Sequence, residues 1–455
     1  MRVLASFHDA TFGFDRDFVL SLGRTQYLLY HLAGAGLATV MGPLTANRWL
    51  MTVYLAGTVL ALRSLLAAVR QDERLAVFVV PLLVNVPFIT GLLPFVFGIP
   101  LLFFALAASI RYFESPSLRA GLLVAASSVA LFYAHVIPFG LFVLGFTSLF
   151  PWTDRRRWLR MAAPCGPALV LASWWILGTT AGRLTGGALM QAGGAEHPPL
   201  LVSAAEMYRW AGDIFIDRTD EHVFLALVGL SITAAAVAAV RGRSGRRPPA
   251  AYVLLPLACA ISYFALPGSY GYLFFIAERF PILLLITGIP LLALPSGWPG
   301  RLITTAAVII AAWACVNTTR HFVSFNALEV GDFDAALATM APHRRVCALV
   351  YDPWSRIVRN AAFLHFGSYY QIERGGVVMF TYAGFPHWPI AFAPGRTPPG
   401  FPARPRWEWT PELVPIEEVY PYYDYVLTRG DGFHPPSGTY HATYRGRDWS
   451  VWARD

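Results

Sequence analysis

About ten long apolar segments follow one another from Arg48 to Val316, and beyond them a stretch of ordinary soluble composition runs to Asp455. A run of roughly 20 apolar residues is what crosses about 30 Å of hydrocarbon. Hydrocarbon also admits only backbone whose peptide groups are paired within the protein. The pattern therefore predicts an all-α polytopic membrane protein of about ten transmembrane helices, with an in-plane N-terminal helix and a small extracytoplasmic α/β domain at the C-terminus. Hydrophobic residues make up 56% of the chain and charged residues 14%, proportions that do not suit one water-soluble core of 455 residues.

Spans are expected near residues 48–70, 75–89, 95–112, 118–132, 136–150, 159–177, 222–240, 251–266, 280–294 and 302–316. Arginine gathers between them at 70–74, 111–119, 155–160, 241–247 and 301, alternating with less basic turns. Positive charge is retained on the cytoplasmic side. The turns at Gly91–Pro94 and His135, the loop Thr179–Glu221, the stretch Gly268–Arg279 and the tail are then expected outside. The net charge of +8 follows from the same bias, without a nucleic-acid partner. Residues 1–47 form an outer loop with amphipathic in-plane helices, 48–316 the membrane domain and 317–455 the soluble domain.

Because 48–70 runs outward to inward, the apolar stretch 27–41 either spans from inside or lies along the outer interface, with an earlier helix upstream of Met1. The second arrangement fits better, since residues 1–18 show no signal-peptide pattern. In the tail, an Asp332-capped helix to Met340, a strand Arg345–Tyr351, a helix from Trp354 to Gly375 and strands at Val377–Tyr382 and Tyr423–Thr428 are predicted. A hairpin of Tyr440–Tyr444 and Trp449–Ala453 closes it. The Pro-rich segment 384–415 reads as an ordered loop packed by Trp388, Phe392, Phe401, Trp407 and Trp409.

The chain contains no lysine, which excludes Schiff-base chemistry and the phosphate-loop lysine. Its four cysteines show neither a disulfide framework nor zinc spacing. No nucleophile elbow, His-Glu-x-x-His or dinucleotide-binding glycine motif is present.

Several short stretches are more specific: Thr25-Gln-Tyr-Leu-Leu-Tyr-His31 through Gly42-Pro-Leu-Thr-Ala-Asn-Arg48, Gly91-Leu-Leu-Pro-Phe-Val-Phe-Gly-Ile-Pro100, Ala134-His-Val-Ile-Pro138 and Ala277-Glu-Arg-Phe-Pro281. With the overall layout they resemble the GT-C class of membrane glycosyltransferases, users of polyprenyl-phosphate sugars related to protein mannosyltransferases. The resemblance implies transfer of a sugar from a lipid-linked donor to an acceptor on the outer face of a bacterial cytoplasmic membrane, with the donor and membrane lipids as partners. The family's first catalytic acid follows its first span, and Met1-Arg-Val-Leu-Ala-Ser-Phe-His-Asp9 looks like the later half of that loop's first helix. The family's second acid has no counterpart between Ile89 and Phe95. The cofactor is open: no strong metal site is expected, and a divalent cation remains an option.

Such a transfer needs a base for the acceptor hydroxyl and cations for the departing phosphate. Asp9 is the candidate base, with Asp15 and Asp17 as alternatives, against a bland role as a turn cap. Glu278 is a second candidate catalytic acid and Arg279 a phosphate ligand, unless the two form an interfacial ion pair. His135 could reach the same phosphate, or cap a broken helix. Arg209, Trp210 and Asp213 in the long outer loop suit a sugar platform, or an interfacial helix with a tryptophan belt. Arg63 is expected to snorkel and Asn85 to pack helices. A flippase would want ionisable residues within the spans, which are nearly free of them, and an inactive scaffold of the same fold is the other competing function.

Overall fold

Leu-, Ala- and Val-rich runs without interior charge form helices here wherever the run is unbroken. In the computed structural model, which describes residues 1–190, 200–399 and 405–455, five helices are long and apolar enough to cross a membrane. They are Pro43–Ala68, Leu93–Glu114, Arg155–Gly178, Thr219–Arg241 and Trp298–Leu328. The other expected spans fall on shorter helices, among them Leu118–Ala134 and Ala250–Ala265. The 75–89 run becomes a 3-10 helix, Glu73–Leu82, containing Pro81, followed by the four-residue helix Val86–Ile89. The runs at 118–132 and 136–150 are helices Leu118–Ala134 and Val136–Ser148, parted by extended His135. The 280–294 run is helix Phe280–Gly288, finished by a 3-10 turn that holds Pro290.

Helix Leu28–Met41 carries Tyr30, His31 and Thr39 but no Asp, Glu or Arg. One further expectation changes. The expected loop 179–221 contains the helices Thr180–Met190 and Leu200–Gly212. Residues 191–199 of that loop, and Phe401 of the Pro-rich segment, lie outside the described residues.

The chain divides into two compact units. One contains Thr25–Tyr30 and Arg48–Thr319, and the other Met1–Arg24, His31–Asn47 and Arg320–Asp455. The N-terminal stretch thus shares a unit with the tail, and strand Phe18–Leu20 pairs antiparallel with Ile390–Phe392.

The tail holds a five-stranded sheet of β1 (Arg345–Val350), β2 (Val377–Val378), β3 (Tyr425–Arg429), β4 (Tyr440–Arg445) and β5 (Trp449–Arg454), in the spatial order β4-β5-β3-β1-β2. β1 runs parallel to β2 and β3, with Val346 opposite Tyr425, and the predicted hairpin β4-β5 is antiparallel. Alternation along β1 buries both of its faces: Val346 and Val350 join Phe333, Phe363 and Trp449 on one side, while Cys347 and Leu349 join Trp407 and Tyr423 on the other.

The helix expected from Trp354 is confined to Ser368–Arg374. Ser355 Oγ accepts the N–H groups of Ile357 and Val358, as a helix N-cap would, but no helix follows it there. Asp332 does precede helix Phe333–Ala338, but its carboxylate accepts from Tyr444 Oη and the Asp448 N–H instead of capping the helix.

Trp449 is 1% exposed, lies 4.8 Å from the Phe333 ring centroid and donates its indole N–H to Val330 O at 3.0 Å. Replacing it with alanine is expected to destabilise the tail by about 3–5 kcal/mol. Pulse proteolysis of the full chain across a urea series measures this, and an unchanged midpoint would contradict the packing.

Candidate functional site

His135 belongs to two helices at once, ending Leu118–Ala134 and beginning Val136–Ser148 with an extended backbone. Its Nδ1 accepts the Ile137 N–H at 3.1 Å, as a cap at the start of a helix requires. This bond fixes the neutral tautomer, leaving the ring proton on Nε2. Gly98 lets helix Leu93–Glu114 come close, since a Cβ there would meet Pro138 Cγ at 3.0 Å. From that helix Phe95 sets its ring edge-on to the imidazole at 5.3 Å, and Tyr27 covers it at 4.8 Å.

Arg279 arrives from the 3-10 turn Ala277–Arg279, at the mouth of helix Phe280–Gly288. Its Nη1 stands 3.3 Å from His135 Nε2, its Nη2 donates to Phe274 O at 3.0 Å, and the guanidinium lies 5.8 Å from the Phe95 ring centroid. The Tyr27 hydroxyl also bonds to the Arg279 side chain. Behind this sits the short hairpin Ser269–Tyr270/Leu273–Phe274, which leaves through Phe275 at φ +55° and so turns the Phe274 carbonyl toward the guanidinium.

Glu278 occupies space that a side chain at position 268 would take, its Oε1 lying 2.6 Å from where a Gly268 Cβ would be. Burial pushes its carboxyl above the usual range, Arg279 opposes the shift and nearby Glu206 adds to it. Two buried polar atoms here lack a protein partner, Glu278 Oε2 and Arg279 Nε. Buried polar groups are nearly always satisfied. Such a pair around one arginine and one histidine marks a place that a polar ligand or water would complete.

The structure thus brings His135, Glu278 and Arg279 together. Trp210 reaches the same neighbourhood through Phe275, the two rings being 6.0 Å apart. Arg209 faces outward beside Glu206, lining a shallow depression with Leu201, Val202 and Ala205. Asp213 is buried next to Asp220, whose carboxylate accepts from the Ile214 and Phe215 N–H groups and so holds the turn after helix Leu200–Gly212. Asp9 belongs to the other unit. It is exposed, and it accepts the Thr11 N–H at 2.9 Å in a local turn that holds its carboxyl below the usual range. Arg63 pairs with Glu73 at 2.6 Å. Asn85 caps Val86–Ile89 by accepting from the Phe88 N–H, and its amide also reaches Tyr54 Oη at 3.3 Å. Tyr27 and Phe95 were not foreseen as site residues, because only the aromatic neighbours of His135 and Pro94 hinted at them. Among the described residues no group of three or more His, Cys, Asp and Glu side chains is placed to hold a metal ion.

The unit containing the tail has a second polar cluster, also missed in the sequence. His365 Nε2 lies 3.2 Å from Glu408 Oε1 and 3.4 Å from Tyr382 Oη, with Phe380 stacked on the imidazole at 4.9 Å. Burial favours the neutral form of each partner, moving His365 down to about 4 and Glu408 up to about 8. A neutral Glu408 would turn its proton toward the imidazole lone pair.

Comparison with protein-family profiles, curated proteins and solved structures gives no match to this chain.

The Glu408–His365 pair has a signed consequence. Between pH 6.5 and 8 the unfolded Glu408 is ionised while the folded one keeps its proton, so the folded state binds more protons and stability falls as pH rises. His365 works oppositely, but only below about pH 6.5, where its unfolded form charges and the folded one does not. Urea unfolding of the full chain should therefore show the tail losing at most about 2 kcal/mol from pH 6.5 to 8. Glu408→Gln should flatten that slope, and an equal slope in the variant would refute the assignment.

Proposed function

We propose that the chain is a membrane-embedded glycosyltransferase of the GT-C type, moving a sugar from a polyprenyl-phosphate donor to an acceptor on the outer face of a bacterial cytoplasmic membrane. The observation that carries this proposal is the imidazole of His135 held between two N–H donors. Its one lone pair is taken by Ile137, so Nε2–H points at the Arg279 guanidinium 3.3 Å away. Two facing donors repel. An anionic oxygen placed against both converts that repulsion into two charge-assisted hydrogen bonds. The phosphate of a lipid-linked sugar is such an anion, and the apolar helices around the site suit its chain.

In this mechanism the bond from the sugar's anomeric carbon to the phosphate oxygen breaks as the acceptor oxygen attacks that carbon. Arg279 and His135 stabilise the charge arriving on the phosphate. Glu278, whose affinity for protons is raised by burial, takes the acceptor's hydroxyl proton. Trp210 offers an apolar face for a sugar ring. The arginine-rich loops support a sidedness in which the turns that carry His135 and Glu278 face away from the cytoplasm. A catalytically inactive scaffold of the same build is the second possibility, favoured by the lack of an acid between Ile89 and Phe95.

Consumption of radiolabelled polyprenyl-phosphate sugar by membranes holding matched amounts of each variant tests the proposal. Arg279→Ala is expected to lower turnover by about 10²–10³-fold. Glu278→Gln should lower it by roughly 10²–10⁴-fold. His135→Asn keeps an acceptor for the Ile137 N–H but deletes Nε2, so it should lose activity without losing fold. Asp9→Asn preserves the Thr11 turn and removes the charge, so a comparable loss there would move the base to Asp9. Unchanged turnover in Arg279→Ala and Glu278→Gln would overturn the proposal, and a wild type without turnover would favour the scaffold.

A further inference from the structure

Away from the His135 cluster, helices Val136–Ser148 and Arg155–Gly178 enclose a groove of about 260 Å³, lined by Phe146, Phe150, Trp152, Trp158, Ala162 and Leu169 among other apolar side chains. Its aromatic end is ordered. Trp152 donates its indole N–H to Thr147 O at 2.8 Å, and Trp158 donates its own to Trp152 O at 3.2 Å, with the two rings edge-to-face at 5.4 Å. Both indoles thus spend their polar edge on the protein, which leaves apolar ring surface for the groove.

Four arginines lie beside it, and they are not equivalent. Arg157 is paired with Asp154 at 3.1 Å, and Arg160 reaches the Pro116 carbonyl at 3.4 Å. Arg155 lies 5.9 Å over the Trp158 ring, and Arg156 next to it is exposed. Neither Arg155 nor Arg156 has an acidic partner among the described residues. An apolar groove whose lining Trp158 carries Arg155 above its ring, with exposed Arg156 next in the chain, is complementary to an amphiphile with an acyl chain and an anionic head. Topology accounts for arginine in this loop, but not for a groove that ends at it.

We propose that this groove holds one acidic phospholipid, its acyl chain along Phe146, Ala162 and Leu169 and its phosphate against Arg155 and Arg156. The site is independent of the transferase proposal, since it involves none of the residues around His135.

Native mass spectrometry of the full chain, purified in detergent and titrated with phosphatidylglycerol or phosphatidylcholine, reads the one-lipid adduct. Wild type should retain phosphatidylglycerol about 25-fold better than phosphatidylcholine, two arginines each contributing roughly a factor of five. Arg155→Gln/Arg156→Gln should bring phosphatidylglycerol down to the phosphatidylcholine level. Ala162→Trp, at an exposed position on the groove wall, should remove the adduct of either lipid. Arg241→Gln/Arg243→Gln, in an arginine cluster without such a groove, should leave retention unchanged. Equal retention of the two lipids by wild type would overturn the proposal. So would a preference that survives Arg155→Gln/Arg156→Gln, or one lost only on changing Arg241 and Arg243.

Discussion

A helix that ends among apolar neighbours leaves peptide groups with no water to bond, each at a cost of several kcal/mol, and the membrane unit of this chain is organised around how those ends are satisfied. At Pro81 the break is repaired by Asn85, which donates to the carbonyls of Leu82 and Leu83 and accepts from the Phe88 N–H, while Tyr54 from helix Pro43–Ala68 donates to Leu83 O at 2.7 Å. Between Leu118–Ala134 and Val136–Ser148 the repair is His135. Short helices are tolerated here because a side chain sits at the break to take over what the helix gave up.

The same requirement ties structure to chemistry. A histidine that spends Nδ1 on a cap must present Nε2–H to whatever faces it, and the fold places a guanidinium there. The surroundings hold that arrangement rigidly: Phe95 and Tyr27 flank the ring, and the Phe274 carbonyl fixes the guanidinium. Glu278, adjacent in sequence to Arg279, turns into the space left by Gly268 and pays for burial with a raised affinity for protons. A facing pair of donors beside a buried carboxyl is what transfer from a lipid phosphate would use.

Legibility in the sequence varied with how local the cause was. The β4-β5 hairpin and strand β1 were readable from alternation, because each residue's side is set by its own position on the pleat. The segment after Trp354 is tied instead to Glu329, a distant residue that accepts from the Ser355 hydroxyl and the Arg356 N–H, and the local pattern carries no sign of that contact. Arg279, Glu278 and His135 stood out because charge and imidazole are rare beside apolar spans. Tyr27, Phe95 and the Glu408–His365 pair looked like ordinary members of aromatic or polar stretches, and only their neighbours in space distinguish them.

The residue order alone determined the helical, apolar character of the chain, the soluble tail and the few polar residues that could not be ignored, because composition and periodicity act over one or two turns of backbone. Tertiary structure decided which apolar runs become helices of spanning length and which break, and that the N-terminal stretch shares a unit with the tail. It also decided that His135 meets Arg279 donor to donor. The last of these depends on partners more than a hundred residues apart, and a local pattern carries no information about which distant side chain will fill a given gap.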